Sequence, residues 1–258
     1  MTRWGAWLAG AIEAGGRTQP PTTLELVSTI RGTTMPIEAL IFDFDGLIVD
    51  TETPAFESWR TIYREYGVEL PLEVWQHAIG TNSFDTYAYL EQLVGRPLDR
   101  ATVMELRMRH KRELSADQPL LQGVEQVLAD ARGLGLKLAV ASSSDRAWVV
   151  GWLERHAIRQ HFACVLTADD VERVKPDPAL FLTAAACLGV APAACVVFED
   201  SANGILAAKA AGMRVVAVPG PITRQLVLPP ADLTIGSLDE LPLQELLARL
   251  EQPGVPAP

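Results

Sequence analysis

From Pro119 onward the chain alternates short apolar runs with segments of helical periodicity, and this rhythm narrows the possible folds more than any other feature. Strands are expected at 136–141 (LKLAVA), 163–166, 195–198 (CVVF) and 214–218. Helices are expected around them at 124–132, 145–155, 178–188, 202–211 and 238–250. The third of these opens on Pro178, a residue suited to a first turn because the N–H it lacks has no partner there. A further strand comes earlier, in ALIF at 39–42. Strands that alternate with helices pair in parallel and are covered by helices on both faces. The expected fold class is therefore α/β, with a doubly wound parallel sheet.

The segment 54–116 has a different character. It is rich in helix formers and aromatic residues, among them Phe56, Trp59, Tyr63, Tyr66, Trp75, Phe84, Tyr87 and Tyr89. Apolar residues recur at helical spacing over 56–66, 84–94 and 103–114, with Gly67, Pro71, Gly80 and Pro97 as punctuation. A small helical bundle without strands is expected, inserted after the first strand. The core would then comprise 35–53 and 117–250, followed by a flexible tail over 251–258. Residues 1–34 are expected to be a dispensable or wrongly assigned extension. Their apolar stretch resembles a leader but is broken by Glu13, and Met35 stands just before the first core strand.

In open parallel sheets the reactive crevice lies beyond the carboxyl ends of the strands, so the residues after each strand matter most. The first strand runs into Asp43-Phe44-Asp45-Gly46. Two carboxylates at alternate positions suit a metal and an anionic substrate, because buried like charges need neutralising. Taken by itself the same pattern also fits an acidic turn. LAVA is followed by Ser142-Ser143-Ser144, the next strand leads to Val174-Lys175-Pro176-Asp177-Pro178, and CVVF is followed by Glu199-Asp200-Ser201. Each piece has a plain structural reading as a helix cap or a loop. Four of them in order, each at a strand end, point to one shared site.

Composition excludes other classes. There are 32 acidic and 22 basic residues, a formal charge of −10, which is the wrong sign for a nucleic-acid binder. The short basic run Arg107, Arg109, Lys111, Arg112 reads as a solvated helix face. Cys164, Cys187 and Cys195 have apolar neighbours and no paired spacing, so three buried reduced thiols are expected, as in a cytoplasmic protein. The four histidines lack metal-ligand spacing and are expected to be structural. No run reaches the length of a membrane span.

With these motifs in hand, the chain resembles a haloacid dehalogenase superfamily hydrolase of the phosphatase type, close to the β-phosphoglucomutase-like subfamily. The resemblance rests on DFDGLIVDTE (43–52), VASSS (140–144), VKPDP (174–178) and FEDSANGI (198–205). It implies a Rossmann-like core with an inserted helical cap domain. By the same resemblance Asp43 is the nucleophile that forms an aspartyl-phosphate. Asp45 protonates the departing alcohol and then activates water. Mg2+ is held by Asp43, the backbone carbonyl of Asp45, Asp200 and, directly or through water, Glu199. Ser142, Ser143 and Lys175 bind the phosphoryl group. Asp45 argues for phosphoryl chemistry, since dehalogenases of the superfamily lack its equivalent.

Mutases of the subfamily carry a histidine and a cap arginine where this chain has Ala55 and Ser83. Loss of a bidentate phosphate clamp favours hydrolysis over intramolecular transfer. Thr81, Asn82 and Ser83 either face the substrate or form a simple inter-helix turn. The expected activity is Mg2+-dependent hydrolysis of a small phosphate ester (of a sugar, polyol or nucleoside) by a cytoplasmic monomer without nucleic-acid or membrane partners.

Overall fold

The computed structural model of the protein describes residues 36–81 and 84–252. The expected extension over 1–34, the tail from 253, and Asn82 and Ser83 lie outside the described residues. Six strands are present: β1 (Ala39–Phe42), β2 (Lys137–Ala141), β3 (Cys164–Leu166), β4 (Cys195–Glu199), β5 (Arg214–Ala217) and β6 (Leu233–Thr234). β1 is apolar and buried at every position, which fits the centre of a sheet covered on both sides. β2 and β4 flank it, and the full order is β3-β2-β1-β4-β5-β6, parallel throughout. The winding direction reverses between β1 and β4. Their carboxyl ends therefore border the crevice where doubly wound sheets hold ligands.

Between β1 and β2 lie α1 (Glu52–Glu65), α2 (Leu72–Trp75), α3 (Thr86–Val94) and α4 (Arg100–Ser115), then α5 (Val124–Gly133). The first four bury a cluster of their own that includes Phe56, Trp59, Ile62, Tyr63, Leu90 and Val103. The rest of the chain supplies α6 (Arg146–Arg155), α7 (Ala179–Leu188), α8 (Ala202–Ala210) and α9 (Leu243–Glu251).

Side chains alternate across a strand, and the two faces of this sheet differ in size. Leu40, Phe42, Val140, Val196 and Phe198 pack with residues of α5, α6 and α9, and the rings of Phe42 and Phe198 stack at 5.0 Å. Ala39, Ile41, Ala139, Ala141 and Val197 pack with α7 and α8, whose own contacts are rich in alanine, including Ala184, Ala185, Ala207 and Ala208. Small residues on both sides let those two helices lie close to the strands.

Three expectations need correction. Cys164 and Cys187 form a disulfide, with their Cα atoms 6.4 Å apart. Cys164 lies on β3 and Cys187 near the end of α7, and a helix packed along that strand brings the pair within bridging distance. Cys195 is the buried thiol that stays free, and burial pushes it up to about 11. The last helix begins at Leu243 rather than 238, because Pro242 takes the capping position. It then runs to Glu251, one residue into the expected tail. Two-residue β6 offers no run long enough to read in the sequence. Among the described residues no helix is long and apolar enough to cross a membrane.

Candidate active site

Asp43 follows β1 directly, and its N–H donates to the carbonyl of Phe198 at 3.0 Å, which fixes it beside the end of β4. Gly46 then turns the chain with φ +82°, a conformation that disfavours a side chain. A Cβ there would stand 2.3 Å from Oδ2 of Asp200, so glycine also makes room for that carboxylate. Lys175 reaches this point from the loop before α7. Its Nζ donates to Oδ1 of Asp43 and, at 2.7 Å, to Oε1 of Glu199. Oε2 of Glu199 accepts from the N–H and hydroxyl of Ser201 at 2.8 and 2.9 Å, at the start of α8. Gly204 leaves room for this carboxylate, since a Cβ there would lie 1.7 Å from Oε1.

Asp43, Glu199 and Asp200 each offer an oxygen within 4.8 Å of the others. Asp200 accepts from the Thr223 hydroxyl at 3.1 Å through Oδ2, while its buried Oδ1 has no hydrogen-bond partner among the described residues. Burial, then the attraction of Lys175 in the opposite sense and the repulsion of Glu199 and Asp45, leaves Asp43 pushed up to about 8. Asp200 is raised well above the usual carboxylate range by burial and by the charges of Glu199 and Asp43. Burial works against the ammonium of Lys175, but Asp43 and Glu199 outweigh it and hold Lys175 above its ordinary value. Three buried carboxylates around one ammonium are short of positive charge. Their hard oxygens, with one left orphaned, fit a hard divalent cation.

Asp45 sits beside this group with its carboxylate fully engaged. Oδ1 accepts from the Thr51 hydroxyl (2.6 Å) and the Trp148 indole N–H (2.9 Å). Oδ2 accepts from the hydroxyls of Ser142 (3.1 Å) and Ser144 (2.7 Å). Ser142 and Asp45 are thus brought together. The Ser143 hydroxyl, expected to bind phosphate, donates to the Gly80 carbonyl at 2.9 Å. That bond ties the turn after α2 to the sheet domain, as does the bond from Nδ2 of Asn203 to the Ile79 carbonyl at 2.7 Å.

From Asp45 and Ser144 a cavity of about 480 Å3 extends between the sheet and the helical segment, with Thr81, Trp59 and Trp75 in its lining. Of the three expected specificity residues, Thr81 lines this space; Asn82 and Ser83 lie outside the described residues. The cavity is also lined by five charged residues to which the motifs assign no role: Glu52, Asp85, Arg100, Arg107 and Lys111. Glu52 is pushed up to about 8 by burial and by Asp45, against the pull of Lys111. The expectation of a solvated basic face holds for Arg109 and Arg112, which are exposed, and fails for Arg107 and Lys111. A signal was available. Arg107 and Lys111 continue the four-residue spacing from buried Val103 to buried Ser115, the inward stripe of α4. Trp148 had no such signal, because its role depends on the path of the indole N–H across to β1.

Comparison with known proteins agrees with this geometry. The family described as haloacid dehalogenase-like hydrolases matches residues 40–218. "Putative phosphatase YhcW" of Bacillus subtilis (strain 168) is 46% identical over 215 residues, spanning 83% of this chain and 98% of that protein. Hexitol phosphatase B of Escherichia coli (strain K12) is 32% identical over 230 residues, spanning 82% and 97%. The crystal structure of CbbY from Rhodobacter sphaeroides in complex with phosphate matches with a TM-score of 0.64 and 28% identity, over 80% of this chain and 96% of CbbY. With the motifs, the strand order and these matches in agreement, the chain belongs to the haloacid dehalogenase-like hydrolases.

Proposed function

We propose that the protein is a Mg2+-dependent phosphatase that hydrolyses a small phosphorylated sugar, polyol or nucleoside through an aspartyl-phosphate on Asp43. The observation that carries this reading is the buried ion pair of Lys175 with Asp43 and Glu199, next to the orphaned oxygen of Asp200. A carboxylate held by an ammonium at a strand end is a positioned nucleophile. A bound Mg2+, held by Asp43, Asp200, the Asp45 carbonyl and Glu199, would neutralise charge on the phosphoryl group.

An oxygen of Asp43 attacks phosphorus while Asp45, protonated once it leaves at least one of its four donors, delivers that proton to the departing alcohol oxygen. Asp45 then takes a proton from water, which attacks the aspartyl-phosphate and releases inorganic phosphate, returning both aspartates to their starting states. Acid–base help of this kind contributes ~10²–10⁴-fold. Lys175 and the hydroxyls of Ser142 and Ser143 would steady the phosphoryl oxygens, with the Ser143 hydroxyl leaving the Gly80 carbonyl to do so. The helical segment 54–116 would act as the cap that covers the site and excludes water. Ala55 is buried in the helical cluster where subfamily mutases carry a histidine, which supports hydrolysis over transfer within a sugar phosphate.

The test is hydrolysis of an aryl phosphate with Mg2+, then with a chelator. Activity should vanish on chelation and fall by orders of magnitude in Asp43→Asn. Full activity of that variant would overturn the mechanism.

A further inference from the structure

Trp148 borders a second space, separate from the cavity over Asp45. Its indole N–H donates to Asp45 at 2.9 Å, while the residue also lines a groove of about 390 Å3 between the end of α4 and one face of α6. That volume is in the range of small-molecule sites. α6 supplies Trp148, Gly151, Trp152 and Arg155, which share one face because they recur every three or four residues. Arg112 and Ser115 of α4 stand on the other side. Gly151 is the unusual member. Glycine in a helix interior weakens the helix relative to alanine, yet nothing lies within 4 Å of where its Cβ would be. Packing does not require this glycine, unlike Gly204, whose missing Cβ leaves room for Glu199. Its effect is to keep the groove open between Trp148 and Arg155.

The lining of the groove holds two arginines and no carboxylate. Among the described residues Arg112 has no carboxylate within ion-pair distance. Arg155 donates to the Ala116 carbonyl and lies 5.1 Å from the ring centre of Trp152. Its one carboxylate neighbour is the fully exposed Asp117 at 3.8 Å, a pair that water screens. Ser115 is buried, and its hydroxyl has no hydrogen-bond partner among the described residues. A helical serine ordinarily bonds back to a carbonyl one turn earlier. The indoles of Trp148 and Trp152 meet edge to face at 5.7 Å and offer aromatic wall. Guanidinium groups match a carboxylate, and indoles match an aromatic ring. We propose that this groove is an effector site for a small aryl carboxylate, its ring against the two indoles and its carboxylate toward Arg112 and Arg155. The effect on turnover rests on the phosphatase reading. An indole drawn toward the ligand lengthens its bond to Asp45, so occupancy lowers kcat and leaves KM little changed.

The test uses the full chain with Mg2+, phenylacetate as the probe and phenylacetamide as its neutral counterpart. Calorimetry should show phenylacetate binding at one site per chain with a Kd of about 2 mM or below. The amide should bind at least about fivefold more weakly. Saturating phenylacetate should lower kcat for p-nitrophenyl phosphate by about threefold or more, with KM little changed. Gly151→Leu places a side chain in the groove and should lose both binding and inhibition while keeping its basal kcat. Arg112→Gln should weaken binding by about fivefold or more, and Arg112→Lys should restore part of it. Equal binding of acid and amide, or undiminished binding in Gly151→Leu, overturns the site. Inhibition seen only as a raised KM and retained in Gly151→Leu puts the acid over Asp45 instead, and also overturns it. Binding with kcat unchanged overturns the effector role. Should no phosphate ester be turned over while the binding pattern holds, the phosphatase reading fails and the groove stands.

Discussion

Metal-free protein, kept in chelator, should lose stability as the pH rises from 6.5 to 7.5. Asp43 and Glu52 are pushed up to about 8 from ordinary values of 3.8 and 4.5, chiefly by burial, and Asp200 is raised as well. A carboxyl group whose folded pKa lies above its unfolded one holds a proton in the native state that the unfolded chain has released. The stabilisation is complete below about pH 4 and is lost as the pH climbs through 8. Each such proton contributes about 1.4 kcal/mol per pH unit in between. His156, held below 6.5 by burial and by Arg155, acts in the opposite sense, but its unfolded form has nearly finished titrating by pH 7.5, so it offsets only about 0.3 kcal/mol across the window. One proton therefore lowers stability by about 1.2 kcal/mol across the window, or about 2–5 °C in Tm for a chain of this size. Thermal melts in EDTA at pH 6.5, 7.0 and 7.5 read the slope directly. Asp43→Asn should make it shallower, since the amide cannot titrate. A flat or rising Tm in the wild type, or an unchanged slope in the variant, would refute the assignment of buried, charge-starved carboxylates.

Three further outcomes are expected. Lys175→Met strips the ammonium from two buried carboxylates; it should cost about 3–5 kcal/mol in denaturant titration and abolish hydrolysis, and an unchanged midpoint would contradict the ion pair. Trp148→Phe removes one of the four donors to Asp45; a bond to a charged group of about 1.5–3 kcal/mol corresponds to a fall in kcat of roughly 10–100-fold, with KM little changed. Reduction of the Cys164–Cys187 bond, which spans 23 positions, should lower stability by about 3 kcal/mol, and a Tm indifferent to reductant would argue against the bond.

The sheet and its reactive edge were legible because both rest on local signals. ALIF, LAVA and CVVF are buried on both faces and so read as unbroken apolar runs, and the polar residues that end them are the ones gathered around Asp43. Strand order was not legible from such runs, since it depends on how crossovers wind. The Cys164–Cys187 bond was missed because it joins an edge strand to a helix through packing that no spacing rule encodes. Arg107 and Lys111 were misread because a basic run on a helix is ordinarily solvated, and its outward members, Arg109 and Arg112, are. The four-residue spacing through Val103 and Ser115 held the contrary signal, but it gains force only once burial is known.

That carboxylates distant in sequence converge to hold one cation is tested most directly by titrating Mg2+ into chelator-stripped protein in a calorimeter. One ion per chain should bind to the wild type, and Asp200→Asn, which blunts the orphaned oxygen, should bind far more weakly. Binding of equal strength in Asp200→Asn, or no binding to the wild type, would contradict the site.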